Sequence, residues 1–357
     1  MSISPFDHPF LSGLLGAQAA ADWFSASADI AAMLDFEAAL AQAQADEELI
    51  SADAARAIAM ACRSFVPDML ALKDATARDG VVVPELVRQL RATIPGEHRN
   101  ALHFGATSQD VIDTSLMIRL KPAIAHLAGG LGDVIAGLDR LEAAFGANSL
   151  MGHTRMQAAI PIAVRDRIDA WRAPLLRDRQ RLAFLTQAFP AVQFGGAAGT
   201  LEKLGDKANA VRQRLAAALG LYDVPQWHSQ RDRIADFAGF LSLVTGSLGK
   251  IGQDIALLAQ SGGAISLSGG GSSSAMPHKQ NPVQAELLVT LARYNAVQLS
   301  GMHQALVHEQ ERSGAAWTLE WLILPSMVSA SAASLQAAGS LLSSITELGN
   351  GKSPEQS

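Results

Sequence analysis

Residues 116–145, LMIRLKPAIAHLAGGLGDVIAGLDRLEAAF, carry the strongest structural signal in the chain. Apolar side chains recur there in steps of three and four, which is the period of one buried helix face. The pattern predicts a single helix of about 35–40 residues, or about 55–60 Å at 1.5 Å per residue. Pro122 lies inside this stretch and is expected to kink the helix or to mark a late start.

Four further stretches repeat the helical pattern, and no alternating strand pattern competes with it. They cover residues 164–189, 234–258, 280–310 and 314–348. All are much longer than the average globular helix of about 11–12 residues. The predicted fold is therefore all-α, with a long five-helix bundle. The helices carry apolar and small residues on more than one face, so we expect them to form an oligomer.

The first hundred residues show shorter helices separated by proline and glycine. One example is Ile30–Ala45, placed behind a Ser/Asp cap at 27–29. We therefore predict a small N-terminal helical domain at 1–105 and a bundle domain at 106–350. The polar residues 351–357 are predicted to be a disordered tail.

Composition narrows the class of protein. Apolar residues make up 49% of the chain but aromatic residues only 5%, so small aliphatic side chains form the core. The net charge of −6 argues against a nucleic-acid partner. Cys62 has no partner cysteine, which fits a reducing compartment. We see neither a signal peptide nor an apolar run long enough to span a bilayer, and expect a cytoplasmic protein with no membrane partner.

The stretch Gly269–Pro282, GGGSSSAMPHKQNP, allows two interpretations. Its composition fits a flexible linker. Its continuation into Met-Pro-His-Lys-Gln-Asn-Pro at a helix start instead indicates a mobile catalytic loop, with Lys279 and Asn281 at an anion-binding helix end. The Walker pattern of a phosphate loop is absent.

A second candidate is the stretch HFGATSQD, which begins at His103 and ends at Asp110. It is either an ordinary helix cap or a carboxylate-binding turn, in which the hydroxyls of Thr107 and Ser108 act beside His103.

Two further stretches lie where we predict helix ends. Gly152–Gln157, GHTRMQ, is expected to open the second long helix, either as a solvated end or as a site element. In Val307–Trp321 the zinc motif HExxH is not formed, because Arg312 replaces the second histidine. Glu309 and Glu311 are either buried partners of Arg312 or part of an exposed charged turn.

These four stretches share hydroxyls, amides and cations at helix ends, with no cluster of metal ligands. This inventory suits the binding of a polyanionic small molecule and the stabilisation of negative charge. We expect no metal or organic cofactor.

The sequence resembles the fumarase/aspartase superfamily. The superfamily loop signature Gly-Ser-Ser-x-Met-Pro-x-Lys-x-Asn matches Ser273–Asn281, with Ser272 in the place of the glycine. The resemblance implies a small helical domain, a five-helix bundle and a homotetramer whose active sites are shared between subunits. It also implies a third, C-terminal helical domain, which we expect this chain to lack.

The resemblance also implies roles for individual residues. Ser273 carries the proton, and Lys279, Asn281 and Arg312 stabilise the anionic intermediate. The expected substrate contacts are His103, Thr107, Ser108, Gln157, Ser274 and Met276.

Arg155 departs from the pattern of the superfamily lyases, in which a histidine of the second region protonates a poor leaving group. A carboxylate leaving group, with a pKa near about 4, needs no such acid. Arg155 therefore favours the 3-carboxy-cis,cis-muconate cycloisomerase branch, which the sequence also resembles. Two alternatives stay open: a lyase that uses His103 or His153 as its acid, and a helical scaffold without activity.

Overall fold

The computed structural model describes residues 4–16, 18–272 and 280–350. The first part of the chain forms short helices: α1 (Leu11–Leu15), α2 (Gln18–Trp23), α3 (Ala26–Asp46), α4 (Ala52–Ser64), α5 (Met69–Asp79), α6 (Val83–Thr93) and a 3-10 segment (Gly96–Ala101). The rest consists mainly of longer helices: α7 (Ser108–Phe145), α8 (Val164–Leu185), α9 (Ala208–Leu219, after a 3-10 segment at Glu202–Lys207), α10 (Asp232–Ser261), α11 (Val283–Gln304) and α12 (Gly314–Ser344).

Short antiparallel strand pairs join the helix ends. The strands are β1 (Ser149–Thr154), β2 (Gln157–Ala163), β3 (Ile265–Leu267), β4 (Gly271–Ser272), β5 (Gln280–Asn281) and β6 (Ile345–Leu348). They pair as β1 with β2, β3 with β6, and β4 with β5. The all-α prediction is confirmed, with these hairpins as local additions.

The five predicted long helices are α7, α8, α10, α11 and α12. The expectation that Pro122 marks a late start is wrong, because α7 begins at Ser108 and runs through Pro122 to Phe145. The last helix ends at Ser344, before the predicted 348, because the next four residues pair with β3.

The predicted cap of α3 at 27–29 is also wrong. Ser25 has the extended backbone that an N-cap needs, and its Oγ accepts a hydrogen bond from the Ala28 N–H at 3.2 Å. Residues 27–29 are already helical, so α3 begins four residues earlier than the predicted Ile30.

The long helices pack side by side, α10 against α11, α11 against α12, and α7 against both α8 and α12. At Gly252 an added Cβ would lie 2.5 Å from the carbonyl oxygen of Ala285, so glycine lets α10 and α11 approach closely. The apolar core runs continuously from Phe6 to Leu348. The domain boundary near residue 105 stays a prediction.

Helices α10 and α12 are long and apolar enough to cross a bilayer by length and composition alone. Most of each lies inside the fold, with 61% and 72% of the most apolar window buried. We interpret both as core helices of the bundle.

Candidate active site

The start of α7 is fixed by the carboxylate of Asp110, which is fully buried. Its Oδ2 accepts a hydrogen bond from the Thr107 N–H at 3.0 Å. The same carboxylate accepts the N–H groups of Gly195 and Gly196, at 2.8 and 2.9 Å. Asp110 thus ties the first turn of α7 to a distant glycine-rich turn and leaves Thr107 and Ser108 partly exposed.

The glycine-rich turn lies against the segment that begins at His103. A Cβ on Gly196 would lie 2.9 Å from the carbonyl oxygen of Gly105, and Gly196 has a φ of +69°. Only glycine combines this backbone conformation with so close an approach. The turn therefore sets the shape of the surface beside Thr107 and Ser108.

Arg312 lies on the same surface. Its Nε donates to Oε1 of Gln109 at 3.1 Å, and its Nη2 donates to the carbonyl oxygen of Ala197 at 3.1 Å. Glu309 and Glu311 are exposed, so the charged-turn alternative holds for them. The structure thus brings Arg312 to the start of α7.

His103 completes this group. Its Nδ1 lies 2.6 Å from Oε1 of Glu37, a carboxylate of α3 that is only 1% exposed. Burial lowers the pKa of His103, but the charge of Glu37 and the hydrogen bond with it outweigh burial and raise the pKa above its ordinary value. His103, Thr107, Ser108 and Arg312 thus form one cluster at the end of the bundle where α7 begins, here called the near end.

A buried ionic network supports the near end. Arg231 is held between Asp113 and Glu320, and Nε1 of Trp317 donates to Asp113 at 2.9 Å. Burial lowers the pKa of Arg231, but the two carboxylates more than compensate and raise it. Burial raises the pKa of Glu320, against the opposing effect of Arg231. The guanidinium is therefore permanently charged, and it links the ends of α7, α10 and α12.

His308 lies beside this network. Its side chain is 1% exposed, and its Nε2 lies 3.9 Å from Oε1 of Glu320. Burial and the charge of Arg231 lower the pKa of His308. Both effects favour the neutral form of the histidine.

The GHTRMQ stretch does not open a helix, and that prediction is wrong. Arg155 and Met156 form the two-residue turn of the β1–β2 hairpin, in which Thr154 pairs with Gln157, and α8 begins only at Val164. Their φ angles are +47° and +67°, as a type I′ turn requires. Antiparallel pairing with residues up to Ala163 overrides the local helical pattern, and it leaves the side chains of Arg155 and Gln157 exposed at the tip.

The hairpin lies at the other end of the bundle, here called the far end. Asn148, at the base of the hairpin, donates to the carbonyl oxygen of Leu348 at 2.8 Å, and Leu348 pairs with Ile265 of β3. Asn281 belongs to the segment between β3 and α11, where it pairs with Gly271. Ser273, Ser274, Met276 and Lys279 lie outside the described residues.

The two ends are separated by the length of α7. At 1.5 Å per residue, its 38 residues place the cluster at its start about 55 Å from the hairpin after its end. One chain therefore brings His103, Thr107, Ser108 and Arg312 together, but it does not bring Arg155 and Gln157 to them.

A protein-family model described as a lyase matches residues 16–297. The chain belongs to this lyase family, the fumarase/aspartase superfamily. A 3-carboxy-cis,cis-muconate cycloisomerase of Pseudomonas aeruginosa is 39% identical over 89% of the chain and 71% of its own length.

Two solved structures share the fold of this superfamily member. The 3-carboxy-cis,cis-muconate lactonizing enzyme of Pseudomonas putida has a TM-score of 0.87 at 37% identity, over 92% of the chain and 75% of its own. A fumarate lyase of Mesorhizobium sp. BNC1 has a TM-score of 0.85 at 32% identity, over 93% and 75%. The chain is therefore an enzyme of the cycloisomerase type within the superfamily.

The residues predicted from the sequence do not include the buried ionic residues of the site, among them Glu37, Asp113, Arg231 and Glu320. One signal for Glu37 was available. In MLDFEAALAQA it lies four residues after Met33 and three before Leu40, on the apolar face of the predicted helix. A lone acid on a core face indicates a buried charge that needs a partner.

Proposed function

We propose that the chain converts 3-carboxy-cis,cis-muconate to 4-carboxymuconolactone. The observation that carries this proposal is the similarity to 3-carboxy-cis,cis-muconate cycloisomerases over about nine-tenths of the chain. That similarity includes both the near-end cluster and the far-end hairpin.

The reaction is an intramolecular addition without a cofactor. Numbered as in the lactone, a carboxylate oxygen forms a bond to C4, and the electrons of the C4–C5 double bond move into the carboxylate conjugated with C5. The resulting aci-carboxylate dianion then takes a proton at C5. In this proposal Ser273 delivers the proton, and Lys279, Asn281 and Arg312 stabilise the dianion, an effect of about 3–4 kcal/mol for a well-placed donor.

Arg155 suits this reaction better than a histidine would. In the reverse direction the group that leaves C4 is a carboxylate, whose pKa of about 4 makes a general acid unnecessary. A guanidinium binds a carboxylate through two parallel hydrogen bonds and keeps its charge at any working pH. Thr107, Ser108, Gln157, Ser274 and Met276 complete the substrate contacts in this proposal.

The distance between the two ends supports a shared site. The end of α7 lies about 55 Å from the near-end cluster. The six-residue strand β1 can carry Arg155 back by at most about 20 Å at about 3.3 Å per residue, so a second copy must supply it. Met156 and Ile160 on the hairpin are 72% and 67% exposed, which favours burial against another subunit. We therefore propose a homotetramer with active sites built by several chains, located in the cytoplasm.

Ultraviolet absorbance tests the function directly. Purified protein should remove the conjugated-diene absorbance of 3-carboxymuconate and leave fumarate, argininosuccinate and adenylosuccinate unchanged. Release of fumarate from argininosuccinate or adenylosuccinate, without reaction of the muconate, would show that the protein is a lyase and not a cycloisomerase. Inactivity towards all four would favour a scaffold.

Two loop variants test the chemistry. Lys279→Met should abolish turnover and leave the oligomer intact, because the dianion loses a cation. Ser273→Ala should keep less than about a tenth of the rate if Ser273 carries the proton.

A further inference from the structure

Glu37 is a buried acid in an otherwise apolar part of the small helices. It is 1% exposed, and its neighbours Met33, Phe36 and Leu40 are all in the core. Removing a carboxylate from water costs several kcal/mol unless a partner offsets the cost. A position with this cost needs a physical reason.

The partner of Glu37 is His103. The Oε1–Nδ1 distance is 2.6 Å, and Oε2 forms no hydrogen bond with any part of the chain that the structure describes. Among the described residues, His103 is therefore the hydrogen-bond partner of the Glu37 carboxylate.

Helix α3 also holds the backbone on which His103 sits. His103 has a φ of +62°, a left-handed conformation that is uncommon for residues other than glycine. Nε2 of Gln44, two turns after Glu37, donates to the carbonyl oxygen of Phe104 at 2.6 Å. The side chain of His103 and the carbonyl next to it are thus both fixed from α3.

The second ring nitrogen of His103 is left for another partner. Nδ1 and Nε2 lie on opposite sides of the ring, so Nε2 is turned away from Glu37. Within 4–16, 18–272 and 280–350, no residue forms a hydrogen bond with Nε2, and the side chain keeps 17% exposure. A protonated ring held in this way presents one N–H donor at the near end.

We propose that Glu37 is a positioning residue whose hydrogen bond with Nδ1 orients His103 and favours the doubly protonated ring, so that Nε2–H binds a carboxylate of the substrate. The inference rests on the proposed function for the identity of that substrate. It adds a fourth cation to Arg155, Lys279 and Arg312, for a substrate with three carboxylates.

Other charged groups face this pair. Asp110 of α7 acts with Glu37 to favour the charged ring, and Arg91 of α6 opposes them. Cys62 of α4 faces Glu37 and stays a neutral thiol, because burial and then Glu37 itself raise its pKa to about 12. Glu37 is the only one of these groups that the structure shows bonded to the ring.

Glu37→Gln tests the inference, because it keeps the size of the side chain and removes its charge. The KM for 3-carboxymuconate should rise about tenfold near pH 7.5, and kcat should change less than about threefold. The alkaline limb of kcat/KM should move to lower pH, since the ring loses its proton sooner. Asp35→Asn, which removes an equal charge from an exposed position on α3, should change neither quantity.

A double-mutant cycle separates positioning from a structural role. In a His103→Gln background, Glu37→Gln should add nothing to the KM, because it acts through the ring. Additive effects would overturn the inference, as would an unchanged KM in a Glu37→Gln protein that keeps its oligomeric state.

The proton on His103 is also measurable without turnover. In histidine-labelled protein, the resonance lost in His103→Gln identifies the ring, and Glu37→Gln should lower its titration midpoint by about one pH unit. An unchanged midpoint overturns the inference. If the wild-type protein fails to turn over 3-carboxymuconate, the proposed function and the proposed substrate contact are both wrong. The titration still decides whether Glu37 stabilises the protonated His103 ring.

Discussion

Asp113 and Arg231 form a two-point ion pair in the interior, with N–O distances of 2.6 and 3.1 Å across 118 positions of sequence. Both side chains are 1% exposed. The carboxylate of Glu320 accepts hydrogen bonds from Nε and Nη2 of the same guanidinium. This pair joins α7 to the start of α10 directly behind the near-end cluster.

Replacing Arg231 by methionine should lower the free energy of unfolding by about 3–5 kcal/mol, because two buried carboxylates lose their cation. Urea titration followed by circular dichroism measures the change. Arg56→Met is the control, since it removes a surface ion pair with Asp53 and should cost at most about 1 kcal/mol. Equal effects of the two variants would contradict the importance assigned to the network.

Arg155→Ala should leave stability within about 0.5 kcal/mol of wild type, because the side chain is exposed at a hairpin tip. It should lower kcat/KM about 10²- to 10³-fold if Arg155 stabilises the reacting carboxylate. Steady-state kinetics with 3-carboxymuconate measures the effect. Arg179→Ala is the control. Arg179 is also exposed but lies on α8, and its variant should keep wild-type activity. A nearly active Arg155→Ala protein would remove Arg155 from the site.

Mixed oligomers should recover activity that neither parent variant has. Arg155→Ala is defective at the far end and Arg312→Ala at the near end, so a hybrid contains some sites built from two intact ends. With random mixing in a symmetric oligomer, about a quarter of all sites combine an intact near end with an intact far end. Co-expression with two affinity tags, followed by assay of the doubly selected fraction, measures the recovery. Hybrids as inactive as their parents would show that each chain builds its own site.

Cys62 should resist thiol reagents in the folded protein. It is 7% exposed, and burial, followed by the charges of Glu37 and Asp35, raises its pKa to about 12. At pH 8 only about one thiol in ten thousand is ionised, so labelling by a disulfide reagent should be negligible over about an hour. The same reagent should label the unfolded chain within minutes. Rapid stoichiometric labelling of the native protein would mean that α4 opens or that Cys62 is accessible.

The sequence predicted the long helices well. Apolar residues that recur every three or four positions over about thirty residues form one continuous face only in an α-helix. It predicted the hairpin at 149–163 poorly. The strand residues pair with each other from Ser149 to Ala163, and Ser149 also pairs with the distant Asn350. The turn at Arg155 and Met156 needs two left-handed residues, and neither of them is a glycine that would indicate it in the sequence. It also placed the cap of α3 a few residues late, because several polar residues precede that helix.

By itself the sequence determined the helical architecture, the residue types of the site and the family, because periodicity and local motifs are properties of neighbouring residues. Only the tertiary structure decided that His103 and Arg312 meet at one end of the bundle while Arg155 lies at the other. It also decided that Glu37, Asp113 and Glu320 are buried against cations. The position of the site residues and the burial of these acids depend on which distant residues the chain brings together. They also depend on the free-energy cost of burying a charge without a partner.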